Sequence, residues 1–379
     1  MNGVRAYLNN AATSWPKAPG VVEAVRESLA GPPWVSGRET GGAGDPACRC
    51  RQALGRLFAV PDHRRVVLTQ HATHALNLAI LGLSLRPGDR VITSVTEHNS
   101  MLRPLYRLRK CSGVAVVVIG LDGQGLLDKA AFEAELRRGA RLVALNHASN
   151  VTGQVNDIPW FFAKAKETGA LTLLDASQTA GHLPVRPLDL GADLVAFTGH
   201  KGLLGPPGTG GLWVSPGLDL DQVLVGGTGV RSDLELHPPE MPTRLEAGTP
   251  NGPALAGLAV ALEWLERNGQ DHTRREQTLA ADLRARLQRL TGLTLFGPKT
   301  PAPLTPVVSF RVHGRSVEET AYALLQGFDI VCRSGLHCAP LIHHAIGSSP
   351  GGTIRFSLSG FTTPQEVDAA VDAVERLRQ

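Results

Sequence analysis

The strongest constraint on this chain is an alternation. From Arg65 to about Val214, short β-branched runs take turns with helical patterns. The runs are Val66-Val67-Leu68, Arg90 to Thr93, Val114 to Ile119, Leu142 to Leu145, Leu171 to Leu174, Leu194 to Phe197 and Gly211 to Val214. Near-continuous apolar strands with helices between them predict an α/β fold whose mostly parallel, seven-stranded sheet is covered on both faces. In such sheets ligands bind beyond the carboxyl ends of the strands. His98, Asn150, Asp175 and Lys201 each come shortly after a predicted strand.

The last third changes character. Leu279, Leu283, Leu287 and Leu290 form an apolar stripe at helical spacing. Ser316-Val317-Glu318-Glu319 and Thr363-Pro364-Gln365-Glu366 have the form of capping boxes, the second with Pro at the first helical position. Strands are predicted just before the first box, at Val307 to Val312, and between the two, at Thr353 to Leu358. The expected organisation is an N-terminal segment (1–20) packing near the site, a large domain (21–251) and a smaller α+β domain (252–379).

Composition narrows the function classes. Lys plus Arg exceeds Asp plus Glu by 38 − 34 = 4, spread along the 379 residues. That argues against a nucleic-acid or polybasic membrane surface. The longest apolar stretch, around Val114 to Ile119, is far short of the roughly 20 residues a membrane span needs. Met1 to Asn10 has no apolar run after its charges, so no secretory signal is expected. Five cysteines leave at least one thiol unpaired within the chain, and a reducing, cytoplasmic setting fits.

The chemistry concentrates in two segments. Leu174-Asp175-Ala176-Ser177-Gln178 is followed, some 26 residues on, by Phe197-Thr198-Gly199-His200-Lys201 and a glycine-rich turn. A strand-end Asp and a Lys beside a His suit pyridoxal phosphate: the Lys forms a Schiff base, and the Asp keeps the pyridine nitrogen protonated. Thr198 and His200 would meet the phosphate. Against this stands an Asp that merely caps a helix and a surface Lys. Thr73, near the start of a predicted helix, offers a hydroxyl and an N–H to a phosphate, although Thr there is usually only a cap. His98 would stack on an aromatic cofactor and move protons, or simply lie at the surface.

The second segment is Cys332-Arg333-Ser334-Gly335-Leu336-His337-Cys338-Ala339-Pro340. An Arg five residues before Cys338 and a His beside it make an electropositive setting that favours thiolate. A Cys332–Cys338 disulfide, a zinc site using Cys332, Cys338, His343 and His344, and a plain core cysteine are the competing readings. The zinc reading lacks the usual C-x₂-C pairing.

With these residues in view, the chain resembles the cysteine desulfurases of the class V aminotransferase family, and among them the group II desulfurases and selenocysteine lyases. The resemblance runs from Tyr7-Leu8-Asn9-Asn10-Ala11-Ala12 to Ile354-Arg355-Phe356-Ser357 and the final helix. It implies the fold type I of pyridoxal-phosphate-dependent transferases, with pyridoxal 5′-phosphate held by Lys201. His98 would stack on the ring, Asp175 pair with its nitrogen and Gln178 with its oxygen. Ala72, Thr73, Thr198 and His200 would bind the phosphate. Thr249, in Arg244 to Asn251, would reach the phosphate of a second subunit, which implies a homodimer. Asn150, Arg333 and Arg355 would bind substrate, Arg355 taking its carboxylate. Cys338 would accept sulfur from L-cysteine as a persulfide, releasing L-alanine, and no metal is expected.

Two departures from the resemblance stand out. His71 occupies a position where the family usually has a small Gly, and His74 one where an acidic residue is common. The Cys338 loop runs straight into Ala339-Pro340, and so short a loop hands sulfur on poorly by itself. A dedicated sulfur-acceptor protein is therefore expected, or else L-selenocysteine as substrate. Another class V reaction (an aminotransferase, epimerase or C–S lyase) is the alternative, but it has no use for a nucleophilic thiol. A non-catalytic binding protein would need neither Lys201 nor Asp175.

Overall fold

The computed structural model describes residues 5–32 and 44–378; the first four residues of the expected N-terminal segment lie outside them. In chain order the first half comprises β1 (Ala6–Tyr7), α1 (Val21–Ala30), α2 (Pro46–Leu57), β2 (Val66–Thr69), α3 (Ala72–Gly82), β3 (Arg90–Ser94), α4 (Asn99–Ser112), β4 (Ala115–Ile119), α5 (Lys129–Leu136), β5 (Leu142–Asn146), α6 (Ile158–Glu167), β6 (Leu171–Asp175), β7 (Leu194–Thr198) and β8 (Gly210–Val214). All seven predicted runs are strands of one sheet, in the order β2-β8-β7-β6-β5-β3-β4. It is parallel except for β8, which pairs antiparallel with both β7 and β2.

The continuous apolar runs are explained by burial on both faces. In β5, Val143 and Leu145 enter one core with Phe161, Phe162 and Phe197, while Leu142 and Ala144 enter the core on the opposite face with Leu76, Ile80 and Leu105. Alternation of side chains across a strand thus serves two hydrophobic layers.

The remainder is α7 (Gly252–Arg289), β9 (Leu293–Phe296), β10 (Val307–Val312), α8 (Val317–Phe328), β11 (Ile330–Val331), β12 (Arg333–Gly335), α9 (Pro340–Ala345), β13 (Thr353–Ser357) and α10 (Pro364–Leu377). A four-stranded antiparallel sheet, β12-β13-β10-β9, packs on α8 and α10 over its own core. Both predicted capping boxes form, at Ser316–Glu319 and Thr363–Glu366. Helix α7 serves two cores: Leu255, Leu258, Leu262 and Leu265 pack with the large sheet, and Ala280, Leu283 and Leu287 with the small one.

The N-terminal segment joins the two units. β1 pairs with β11, Leu8 O accepts from Ser357 N, and Ser14 N donates to His200 O at 2.9 Å. Residues 10–14 are thereby laid beside the turn that carries Lys201.

Candidate active site

Beyond the carboxyl ends of the strands lies a cavity of about 210 Å³, walled by Ala11, Ala12, His71, Ala72, Thr73, His98, Ser100, Asn146, Ala148, Asn150, Asp175, Ser177, Gln178, Thr198, His200, Lys201, Arg333 and Arg355. A larger but more open groove of about 470 Å³ lies against α2, around Gln52, Arg56 and His63. The site residues converge on the first.

Each strand end delivers its residue by local chemistry. His98 follows β3 and caps α4: its Nδ1 accepts from Ser100 N–H at 3.0 Å. Burial, and then the Lys201 cation, lower its pKa to about 4, so the ring is neutral at pH 7. Because Nδ1 is the acceptor, the ring proton sits on Nε2. Asp175 ends β6, and its Oδ1 accepts from Ser177 N–H at 2.9 Å. Gln178 donates to Ala11 O at 3.1 Å.

Lys201 follows β7 in a turn that its neighbours require to be glycine. A Cβ at Gly202 would lie 2.5 Å from Ala180 O and 2.7 Å from His182 Nε2. Burial lowers the Lys201 amine to about 8, with Asp175 opposing the shift. About half of it is therefore the free base at pH 8, and about a tenth at pH 7.

Beneath the site, Glu97 is fully buried. Its Oε1 accepts from Ser94 Oγ at 2.6 Å and Asn146 N at 3.0 Å, while Oε2 has no described partner. Burial pushes this carboxyl up to about 8; neutral Glu97 is the form that buried position favours.

The four-stranded sheet closes the cavity with cations. Arg333 on β12 lies directly opposite Arg355 on β13. Arg355 is fully buried, donates to Asn150 O at 2.9 Å, and keeps an unpartnered Nε. Its pKa falls to about 9 through burial and then Arg333. Arg333 Nη2 donates to Cys338 Sγ at 3.2 Å.

The cysteine loop is held from two sides. Asn150 Nδ2 donates to His337 O at 2.8 Å and Asn99 N to Cys338 O at 2.8 Å. His337 and Cys338 both adopt left-handed backbone, with φ of 49° and 60°, while the Cys338 side chain stays exposed. All five cysteines are unpaired, so Cys332 and Cys338 form no disulfide. Burial pushes the Cys332 thiol up to about 12. Among the described residues no group of three or more His, Cys, Asp or Glu is arranged to hold a metal.

Of the residues predicted from sequence, the cavity gathers Ala72, Thr73, His98, Asn150, Asp175, Gln178, Thr198, His200, Lys201, Arg333 and Arg355. Cys338 is joined to it through Arg333. Thr249 is exposed and is not among its walls. Sequence reasoning missed Lys17, whose ammonium donates to His200 O at 3.2 Å and which burial lowers to about 8. It also missed the buried pair His182–Glu276, 2.6 Å apart behind the Lys201 turn. Neither belongs to a local motif.

Comparison with known proteins identifies the family. The aminotransferase class-V family model matches residues 6–370. A probable cysteine desulfurase of Aeropyrum pernix is 33% identical, covering 98% of this chain and 94% of its own. The cysteine desulfurase CsdA of Escherichia coli is 31% identical, covering 86% and 81%. Among solved structures, the apo cysteine desulfurase of Thermococcus onnurineus superposes with a TM-score of 0.87 at 31% identity, over 98% of this chain and 94% of that one. The E. coli CsdA structure in an S-sulfonic acid form gives 0.85 at 29%, over the same shares. The fold and site define a fold type I enzyme of the pyridoxal-phosphate class. More narrowly, the chain belongs to the class V aminotransferase family, in its cysteine desulfurase branch.

Proposed function

We propose that this enzyme converts L-cysteine to L-alanine and moves the sulfur to Cys338. The observation that carries the reading is the donor contact from Arg333 to Cys338 Sγ at the mouth of the cavity that holds Lys201 and Asp175. Transamination or epimerisation has no use for that thiol.

The cavity suits pyridoxal 5′-phosphate. Ser177 Oγ and His200 Nδ1 are buried donors or acceptors without described partners, and buried polar groups left so need a ligand or water. Thr73, Ala72, Thr198 and His200 would hold the phosphate at the amino end of α3. Asp175 would hold the pyridine nitrogen, Gln178 the ring oxygen, and His98 the ring face. When bound, the cofactor supplies an aldehyde for amines and a ring that accepts electrons.

The chain's own residues do the rest. Arg355, with Arg333 and Asn150 beside it, takes the substrate carboxylate. Lys201, whose amine burial lowers to about 8, removes the Cα proton in its free-base form. Cys338 sulfur attacks the substrate sulfur: an S–S bond forms as the Cβ–S bond breaks, and proton delivery to carbon completes alanine. His98, neutral with its proton on Nε2, can serve as acid–base partner.

A homodimer and a sulfur-acceptor protein complete the reading. Thr249 ends a surface segment in which Val223, Leu224, Val225, Leu234 and Leu236 are all exposed, an apolar face that a second copy would cover. The exposed Cys338 on a loop held at both carbonyls favours delivery to a partner that comes to it. Five unpaired thiols fit a cytoplasmic location, and no described helix is long and apolar enough to cross a membrane. L-selenocysteine is the second substrate to weigh.

The deciding experiment measures alanine from L-cysteine by the cofactor-loaded enzyme and by Cys338→Ala, each repeated with L-selenocysteine. Loss of cysteine activity in the variant, with an unchanged cofactor spectrum, is expected. Activity on selenocysteine alone makes the enzyme a lyase. No alanine from either substrate, with cofactor bound, overturns the desulfurase reading.

A further inference from the structure

The end of the cavity nearest α3 is richer in nitrogen donors than the assignments above use. His71 caps α3 from an extended conformation, its Nδ1 accepting from His74 N–H at 3.1 Å. That bond commits Nδ1 as acceptor, so a neutral ring carries its proton on Nε2, for which there is no acceptor among the described residues. The ring walls the cavity beside Thr73, Thr198 and His200.

The electrostatics point the same way. Burial, and then Lys201, Lys17 and His71, lower the pKa of His200 to about 4, so its ring is neutral. Lys17 holds His200 O and pairs with no carboxylate among the described residues. A helix start set with imidazole groups and a nearby ammonium suits a dianion.

Resting on the cofactor reading above, we propose that His71 is a further phosphate ligand of this site: fixed through Nδ1 by the His74 N–H, it presents Nε2–H to the phosphate of the bound cofactor. A side chain thus stands where the resemblance gives a small glycine, and the helix cap and the phosphate contact are made by the two nitrogens of one ring.

The test separates those two roles. His71→Asn keeps a capping side chain but is too short to reach the phosphate; His71→Ser is a second capping variant. Apo wild type and both variants are titrated with pyridoxal 5′-phosphate and with pyridoxal, which has no phosphate, and their urea midpoints are measured. The expected result is a weakening of about tenfold or more for pyridoxal phosphate, unchanged pyridoxal binding and unchanged midpoints. Undiminished pyridoxal phosphate binding in both variants overturns the proposal. So does an equal loss for both ligands, which would mark a positioning role. If wild type itself takes up neither compound, the cofactor reading falls, and the His71 proposal with it.

Discussion

Arg333 and Arg355 face each other across neighbouring antiparallel strands, and neither makes an ion pair with a carboxylate among the described residues. Like charges directly opposite on a sheet are unfavourable, and here burial and then Arg333 lower the pKa of Arg355. An arrangement of this kind is stabilised when an anion arrives between the two. It makes the site most complete with a carboxylate bound.

Arg355→Lys keeps the charge but loses the planar fork that takes a carboxylate with two donors. The expected effect is a ten- to hundredfold fall in kcat/KM for cysteine, carried mainly by KM. Initial rates of alanine formation against cysteine concentration measure it. An unchanged KM would remove Arg355 from the substrate site.

Lys201 predicts a pH dependence. Its amine, lowered to about 8 by burial, is a nucleophile only when unprotonated. The rate at which apo-enzyme captures pyridoxal phosphate should therefore rise with pH up to about 8 and level off above. Stopped-flow absorbance reads the rate. A profile still climbing well above pH 8, as an ordinary lysine's would, contradicts the burial argument.

Glu97 links pH to stability. Its folded pKa, about 8, lies above the ordinary carboxyl value of 4.5, so the folded state binds the proton more tightly. The stability this confers is full below pH 4.5 and is lost as pH rises through about 8. In Glu97→Gln that loss should disappear, leaving a flatter profile across the window. Urea midpoints of the two apo-proteins from pH 5 to 9, compared at each pH, test it; parallel curves would show that Glu97 does not titrate there.

The pair His182–Glu276 predicts a cost at a distance. Burial alone would lower His182, but the carboxylate 2.6 Å away raises it above the usual imidazole value. Removing one partner of a buried pair typically costs about 3–5 kcal/mol. Glu276→Gln should lower stability toward that figure, and, because the His182 ring packs against Gly202, should shift the absorbance of the cofactor-loaded enzyme. A stable variant with an unaltered spectrum would mean the pair neither supports the fold nor places Lys201.

What could be read in advance follows the range of the interactions. The seven sheet strands were legible because burial on both faces forces unbroken apolar runs. The capping boxes at Ser316 and Thr363 were legible because each is complete within four residues. The Gly-His-Lys turn and the Arg333–Cys338 segment carried their chemistry in single short stretches. The opposition of Arg333 and Arg355 depends on strand register, and His182 meets Glu276 across 94 residues. Lys17 reaches His200 only because the N-terminal segment is threaded past it. Short strands such as β11 and β12 were missed because pairing, rather than composition, makes them. The apolar stripe of α7 was seen only near its carboxyl end, since its amino half is buried almost all round and shows no stripe.

Helix α7 has a mechanical consequence. At 38 residues it is about 57 Å long at 1.5 Å per residue, and its two halves are keyed into different hydrophobic cores. It acts as a common axle. One unit cannot swing against the other on a slack tether without bending the rod or tearing it from its seat in one core. Any relative motion of the two cores must therefore be carried through the whole length of this one rod.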